Sequence, residues 1–190
     1  VEGNDEEYYP LTVANYRLGG GSSGRLFQVL REEKSYTYGA YSYAPRNIVQ
    51  SPWIASSSVK SNVTLEAMET FKEVIGNYGE TYTEEDLEKT KTALIKQNTR
   101  DYETIGSLTG ILQTVSTYDL PLDYIDQQQQ TLQAMTVADV KALVDKYMDL
   151  STMIYVIVGD KATQYERLQV EGIGSPVLID KDGNEVVQAM

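Results

Sequence analysis

The chain has 190 residues, 41% of them apolar, and a formal charge of −12. That length suits one hydrophobic core and is awkward for two, and so acidic a surface argues against a nucleic-acid backbone or an anionic membrane as partner. There is no cysteine and no histidine, which removes disulfides, iron–sulfur clusters, thiolate metal sites, the commonest zinc ligand and the commonest general base.

A zinc site built from this chain alone would be all carboxylate, which zinc rarely accepts. No metal ligand is therefore assigned. The longest apolar run, near Met153–Val158, is far too short to span a membrane. The chain opens at Val1 with no basic-then-apolar leader pattern, and reads as a piece of a longer polypeptide.

Residues 1–7 are acidic and glycine-containing, as in a linker or frayed end. From Tyr8 to Leu18 the apolar residues recur with a helical period, and Gly19–Gly21 stops that helix. Ser22 or Ser23 can cap the next one, whose apolar face is Leu26, Phe27 and Leu30. The period then changes to two: Tyr36, Tyr38 and Ala40 alternate, and Tyr41 and Tyr43 alternate out of phase with them. Gly39 sits at the phase change and predicts a β-bulge. After a connection over 45–52, Trp53, Ala55, Ser57 and Val59 fit one face of a second strand, antiparallel to the first.

Five helical segments follow. Leu65, Met68, Ile75 and Tyr78 mark one stripe, and Leu108, Ile111, Leu112 and Val115 another. Thr83–Asp86 and Thr136–Asp139 are N-terminal capping patterns; the first opens a helix through about Arg100. Tyr124–Ala134 is a short, glutamine-rich helix. The β-branched run Met153–Val158 predicts a buried central strand. Lys161–Gln169 reads as a short helix, and Val177–Ile179 and Glu185–Val187 as a hairpin around Lys181-Asp182-Gly183-Asn184. The fold class expected is α+β: a mainly antiparallel sheet with helices packed on one face, in a single domain over 1–190.

Gly19-Gly20-Gly21-Ser22-Ser23-Gly24 satisfies G-x-G-x-x-G. A dinucleotide site would need a strand before it and an acid about 20 residues on. A helical pattern precedes it, and no acid lies between Glu33 and Glu66. It also fails as a P-loop, because Arg25 and Leu26 stand where Lys and a hydroxyl are required. Two readings stay open: a plain helix-to-helix turn, or a backbone-rich loop bordering a cleft where a peptide can approach. Asp180-Lys181-Asp182-Gly183 is read as a hairpin turn, since Ala189 stands where a calcium loop needs Glu.

Arg31 ends the second helix and Tyr38 follows seven residues later, just inside the strand. Arg can grip a carbonyl or carboxylate with a forked donor set, and a Tyr hydroxyl can donate to a forming oxyanion. On local sequence alone the plainer reading is a helix-terminal cation and a packed strand tyrosine.

The run Tyr8–Tyr43 resembles the second, non-zinc domain of M16 (insulinase/pitrilysin-like) metallopeptidases. That pattern is a helix ending in L-G-G-G, then S-R-L-F, then L-R-E and a Tyr seven residues after the Arg. Here it stands as Leu18-Gly19-Gly20-Gly21, Ser23-Gly24-Arg25-Leu26-Phe27 with one extra Gly, Leu30-Arg31-Glu32 and Tyr38. Thr136–Tyr147 and Met153–Asp160 resemble the family's late helix and following strand.

The resemblance implies a clam shell of two similar domains around an unfolded peptide. The first carries H-x-x-E-H and the zinc, in the same chain or a separate subunit. This one would supply Arg31 to hold substrate and Tyr38 to stabilise the tetrahedral oxyanion, with Gly19, Gly20 and Gly21 bordering the peptide channel. The cofactor expected is zinc in the partner domain and none here. The alternative is a scaffold or peptide-binding subunit without catalysis, like the core proteins of a respiratory complex. The family's domain normally opens with a strand before the Tyr8–Leu18 helix. That strand is expected to lie outside this chain, leaving an unpaired sheet edge open to dimerisation.

Overall fold

The computed structural model describes residues 1–100, 102–169 and 176–186. In chain order the elements are α1 (Tyr8–Gly19), α2 (Arg25–Phe27, widening into a π-helical stretch Gln28–Glu33), β1 (Thr37–Tyr43), β2 (Ile54–Val59) and α3 (Thr64–Gly76). Then come α4 (Tyr78–Thr81), α5 (Glu84–Arg100), α6 (Ile105–Tyr118), α7 (Tyr124–Ala134), α8 (Val137–Tyr147) and α9 (Lys161–Gln164). The class is α+β, as the sequence predicts.

The core is organised around α1. Leu11, Val13, Ala14 and Leu18 are fully buried, and α1 packs on β1, α8, α5 and α7. Leu26 and Leu30 of the second helix, Leu87 of α5, Leu132 of α7 and Val140 of α8 close around it. Each such side chain contributes about 1.5–3 kcal/mol by leaving water. Tyr78 is fully buried and donates to the Ala14 carbonyl at 2.6 Å, which satisfies its one polar atom. Burial, reinforced by the neighbouring Tyr82, pushes its phenol well above the usual range.

Both capping patterns form. Thr136 and Asp139 make a reciprocal capping box at α8, and Thr83 and Asp86 exchange the same pair of bonds at α5. The second helix is capped differently: Gly24, in extended conformation, occupies the N-cap in place of Ser22 or Ser23. The stripe on α6 faces outward, leaving Ile105, Leu108 and Leu112 exposed.

The sheet is an antiparallel pair, Tyr43↔Ile54 to Thr37↔Val59, with the register slipping between Thr37 and Ala40. That slip is the expected bulge at Gly39. Thr37, Ala40 and Ser42 point to the helices, while Tyr38, Tyr41 and Tyr43 point out.

Two expectations are corrected. Residues 1–7 are packed rather than frayed: Val1 and Gly3 are buried, Val1 and Ser51 exchange backbone hydrogen bonds, and the Gly3 amide donates to the Asn47 carbonyl at 2.7 Å. Met153–Val158 is not a buried central strand. It runs without regular structure, with Ile154, Val156 and Val158 at 89%, 74% and 96% exposure. Among the described residues it pairs with no strand, and hydrophobic side chains alone do not make a ladder. The hairpin forms as an isolated Ile179↔Glu185 bridge with Gly183 at φ 85°; Val187 lies outside the described residues. No helix among the described residues is long and apolar enough to cross a membrane.

Candidate functional site

The glycine loop is held by its own main chain and by both helices. The Gly20 amide donates to the Tyr16 carbonyl at 3.1 Å, closing α1, and the Gly24 amide to Gly21 at 2.9 Å. Arg17 donates to the Ser23 carbonyl at 3.1 Å and Gln28 to the Ser22 carbonyl at 2.7 Å. Below the loop, Asp86 accepts from Arg17 at 3.3 Å and Arg25 at 2.8 Å. Arg25 also bonds Thr81 and lies 5.0 Å from the Tyr78 ring centre. Burial alone would raise the Asp86 carboxyl. The Thr83 hydrogen bonds and the two guanidiniums outweigh it and hold the group below the usual carboxylate value.

The three glycines have different surroundings. Gly19 is buried, and a methyl group there would run into the backbone nitrogen and side chain of Ser42. A methyl group on Gly20 would meet Tyr16 at 2.9 Å, whereas one on Gly21 would meet nothing within 4 Å. Gly19 thus lets α1 lie against β1, and Gly21 faces open space.

Arg31 lies in the π-helical stretch, where the Lys34 amide reaches back to the Val29 carbonyl at 3.0 Å. Such wide turns often occur at functional sites. Ser35 then takes φ 55°, a left-handed conformation costly for a non-glycine residue, and turns the chain into β1. The Arg31 guanidinium sits 4.8 Å from the Phe27 ring centre and donates to Glu32 at 2.8 Å. Phe27 in turn packs on Tyr41, with ring centres 5.9 Å apart.

Tyr41 lies across Gly39, where a Cβ would come within 2.7 Å of its ring. Only a glycine admits that contact. Thr37 Oγ1 accepts the Gly39 amide at 3.1 Å and donates to the Ser58 carbonyl at 2.7 Å, fixing the bulge. The bulge puts Tyr38 on the same outward face as Tyr41. Tyr38 is 94% exposed, and its hydroxyl has no hydrogen-bond partner among the described residues. Arg31 is thus seated on the Phe27–Tyr41 pair, and Tyr38 shares the outward face of β1 with Tyr41. Among the described residues no three acidic side chains gather as a metal-ligand set.

Sequence reasoning missed the platform and the Asp86 anchor. Arg25 and the Thr83–Asp86 cap were each visible as local signals, but their meeting across more than 60 residues was not.

Residues 1–94 match the family model described as the peptidase M16 inactive domain. Among solved structures, the peptidase M16 inactive domain from Pseudomonas fluorescens is 25% identical, with a TM-score of 0.71 over 78% of this chain and 36% of that one. A protease from Helicobacter pylori is 18% identical, with a TM-score of 0.70 over 76% of this chain and 35% of that one. The inactive peptidase domain of a candidate zinc protease from Bordetella parapertussis is 14% identical, with a TM-score of 0.68 over 84% of this chain and 87% of its own. This chain spans about a third of the length of the first two. No curated protein matches it.

Proposed function

We propose that this chain is an M16 peptidase inactive-type, C-terminal domain and the substrate-binding half of a two-part zinc endopeptidase. Zinc and the general base belong to a companion domain bearing H-x-x-E-H. This half supplies Arg31 and Tyr38 toward the peptide and lines the channel with Gly19, Gly20 and Gly21.

The observation that carries this reading is the outward platform. The bulge at Gly39 turns Tyr38 to solvent with an unspent hydroxyl, and Arg31 is seated beside the same face on Phe27. A tyrosine 94% exposed contributes little to the fold. Its hydroxyl is free to donate to an oxyanion on a peptide clamped between the two halves. Arg31 can exchange its exposed Glu32 contact, a weak surface pair, for a substrate carbonyl or carboxylate. Gly21, with open space over it, suits close approach of a peptide backbone. This half has no chemistry of its own to offer without the zinc-bearing partner.

The test is peptide hydrolysis by the domain combined with its zinc-bearing half, comparing wild type with Tyr38→Phe. Loss of an oxyanion donor lowers kcat by about 100-fold or more while unfolding is unchanged. Full activity in the variant would reduce Tyr38 to a surface residue. A complex inactive in both forms would favour a scaffold.

A further inference from the structure

The glycine loop has spent its carbonyls and kept its amides. The Gly21 carbonyl accepts from the Gly24 amide at 2.9 Å, the Ser22 carbonyl from Gln28 Nε2 at 2.7 Å and the Ser23 carbonyl from Arg17 Nη1 at 3.1 Å. A planar trans peptide points its N–H opposite to its C=O. With the Gly21 and Ser22 carbonyls turned to these donors, the Ser22 and Ser23 amides face the other way. Neither amide, and neither serine hydroxyl, makes a hydrogen bond among the described residues, and both serines are exposed. Two adjacent donors are thus left beside Gly21, which has open space over it.

The bond to Ser23 reaches further into the fold. The guanidinium that holds the Ser23 carbonyl also donates, through Arg17 Nε, to Asp86 Oδ1 at 3.3 Å. The other carboxylate oxygen accepts at 2.8 Å from Arg25, just past the end of the loop. Arg25 is itself tied to the Thr81 carbonyl at 3.0 Å and laid on the buried Tyr78 ring. Asp86 is fixed at the start of α5 by the Thr83 amide and hydroxyl, at 3.1 and 3.0 Å. One carboxylate therefore ties both arms of the loop to the core. The Asp86 and Arg17 side chains are only 14% and 20% exposed, which sets this pair apart from surface pairs that hold no fixed geometry.

We propose that Asp86 is a positioning residue for the peptide: through Arg17 and Arg25 it holds the loop so that the Ser22 and Ser23 amides meet a main-chain carbonyl oxygen of an extended substrate. Backbone N–H donors on residues with short side chains read a carbonyl whatever side chain accompanies it, so the loop adds affinity without sequence preference. A contact to unreacting backbone is made equally before and during the reaction, and so acts on KM while leaving kcat. This inference rests on the reading of Gly19, Gly20 and Gly21 as a border of the peptide channel.

The test is peptide hydrolysis by the chain assembled with its zinc-bearing half, with amide hydrogen exchange on the same proteins. Asp86→Asn is compared with Arg17→Met, which leaves the Thr83–Asp86 cap of α5 in place. Both should raise KM about fivefold or more with kcat within about twofold of wild type. The double variant should be no worse than either single one, because the two residues act along one path. The Gly24 amide should exchange about tenfold faster in both variants, with exchange in α8 unchanged. Unchanged Gly24 exchange, or faster exchange with an unchanged KM, overturns the proposal. So does a rise in KM for Asp86→Asn alone, which would assign the effect to the α5 cap. Tyr38→Phe run alongside separates the two readings. If its turnover falls while Asp86→Asn keeps the wild-type KM, this inference alone fails; if the assembled wild type is inert, or neither variant alters hydrolysis, the channel reading fails with it.

Discussion

Asn15 of α1 and Ser42 of β1 hold each other by a reciprocal pair: Asn15 Nδ2 donates to the Ser42 carbonyl at 2.6 Å, and Ser42 Oγ donates to Asn15 Oδ1 at 2.6 Å. Trp53 Nε1 adds a third bond to the same Oδ1 at 2.8 Å. Both residues are at most 5% exposed. This buried knot fixes α1 to the inner face of β1, and so fixes which face of β1 carries Tyr38 outward.

Asn15→Ala strands the buried Ser42 hydroxyl and carbonyl and takes a partner from the half-buried Trp53 indole. Buried groups left unpaired cost about 1–3 kcal/mol each in mutational series, so the variant should lose about 2–4 kcal/mol. Chemical denaturation would read this as a fall in midpoint with an unchanged slope. A loss under 0.5 kcal/mol would show that water replaces the bonds.

Gly19→Ala and Gly21→Ala should separate packing from access. The first drives a methyl into Ser42 and should cost more than about 2 kcal/mol, as overpacking at a rigid backbone contact does. The second meets open space and should leave the melting temperature within a few degrees of wild type. Equal stability of the two variants would contradict the close approach of α1 to β1.

Ser35 holds φ 55° between Arg31 and Tyr38. A β-branched residue tolerates that conformation poorly, so Ser35→Val should cost about 1–3 kcal/mol, while Ser35→Gly should be neutral or slightly stabilising. The thermal unfolding of the two variants gives the ordering, and the reverse order would exclude strain at this turn.

Acid should loosen the glycine loop through Asp86. Its folded pKa is lowered, so its charged form contributes stability that is fully present above the unfolded value. That contribution is lost as pH falls through the folded value. Glu7 and Asp139 are shifted the same way, by hydrogen bonds from Lys146 and Tyr147 and from Thr136 respectively. The melting temperature should therefore fall from about pH 5 to about pH 3. Asp86→Asn should start lower at neutral pH and fall less steeply. Parallel curves for the variant and the wild type would remove Asp86 from the acid response.

Arg31→Lys keeps the charge but loses the flat stacking of the guanidinium on Phe27 and its forked donors. The stability cost should be below about 1 kcal/mol, as for an exposed cation–π contact, while hydrolysis by the two-part enzyme drops about tenfold or more through KM. An unchanged KM would take Arg31 out of the substrate contact.

The local signals were legible because they arise from neighbouring residues. Thr136 and Asp139, three apart, need only each other to form a capping box. The slip from Tyr38–Ala40 to Tyr41–Tyr43 showed the bulge because a strand has a strict period of two. The Gly-rich turn, the Arg31–Tyr38 spacing and the fold class were readable for the same reason. The strand read into Met153–Val158 was not a local matter: β-branched residues favour extended backbone, but a ladder requires a second strand at pairing distance, and sequence does not say where that strand lies.

By itself, then, the sequence determined the caps of α5 and α8, the antiparallel pair with its bulge, the absence of any histidine or cysteine to hold zinc, and the family likeness. Only the tertiary structure decided that Arg31 leans on Phe27 rather than on Tyr38 and that Arg17 and Arg25 converge on Asp86. It also decided that Gly19 serves packing while Gly21 faces open space, and that among the described residues the 153–158 run pairs with no strand. Periodicity is set by geometry within one segment, whereas these contacts join residues far apart in the chain and exist only once the core has fixed the distances between them.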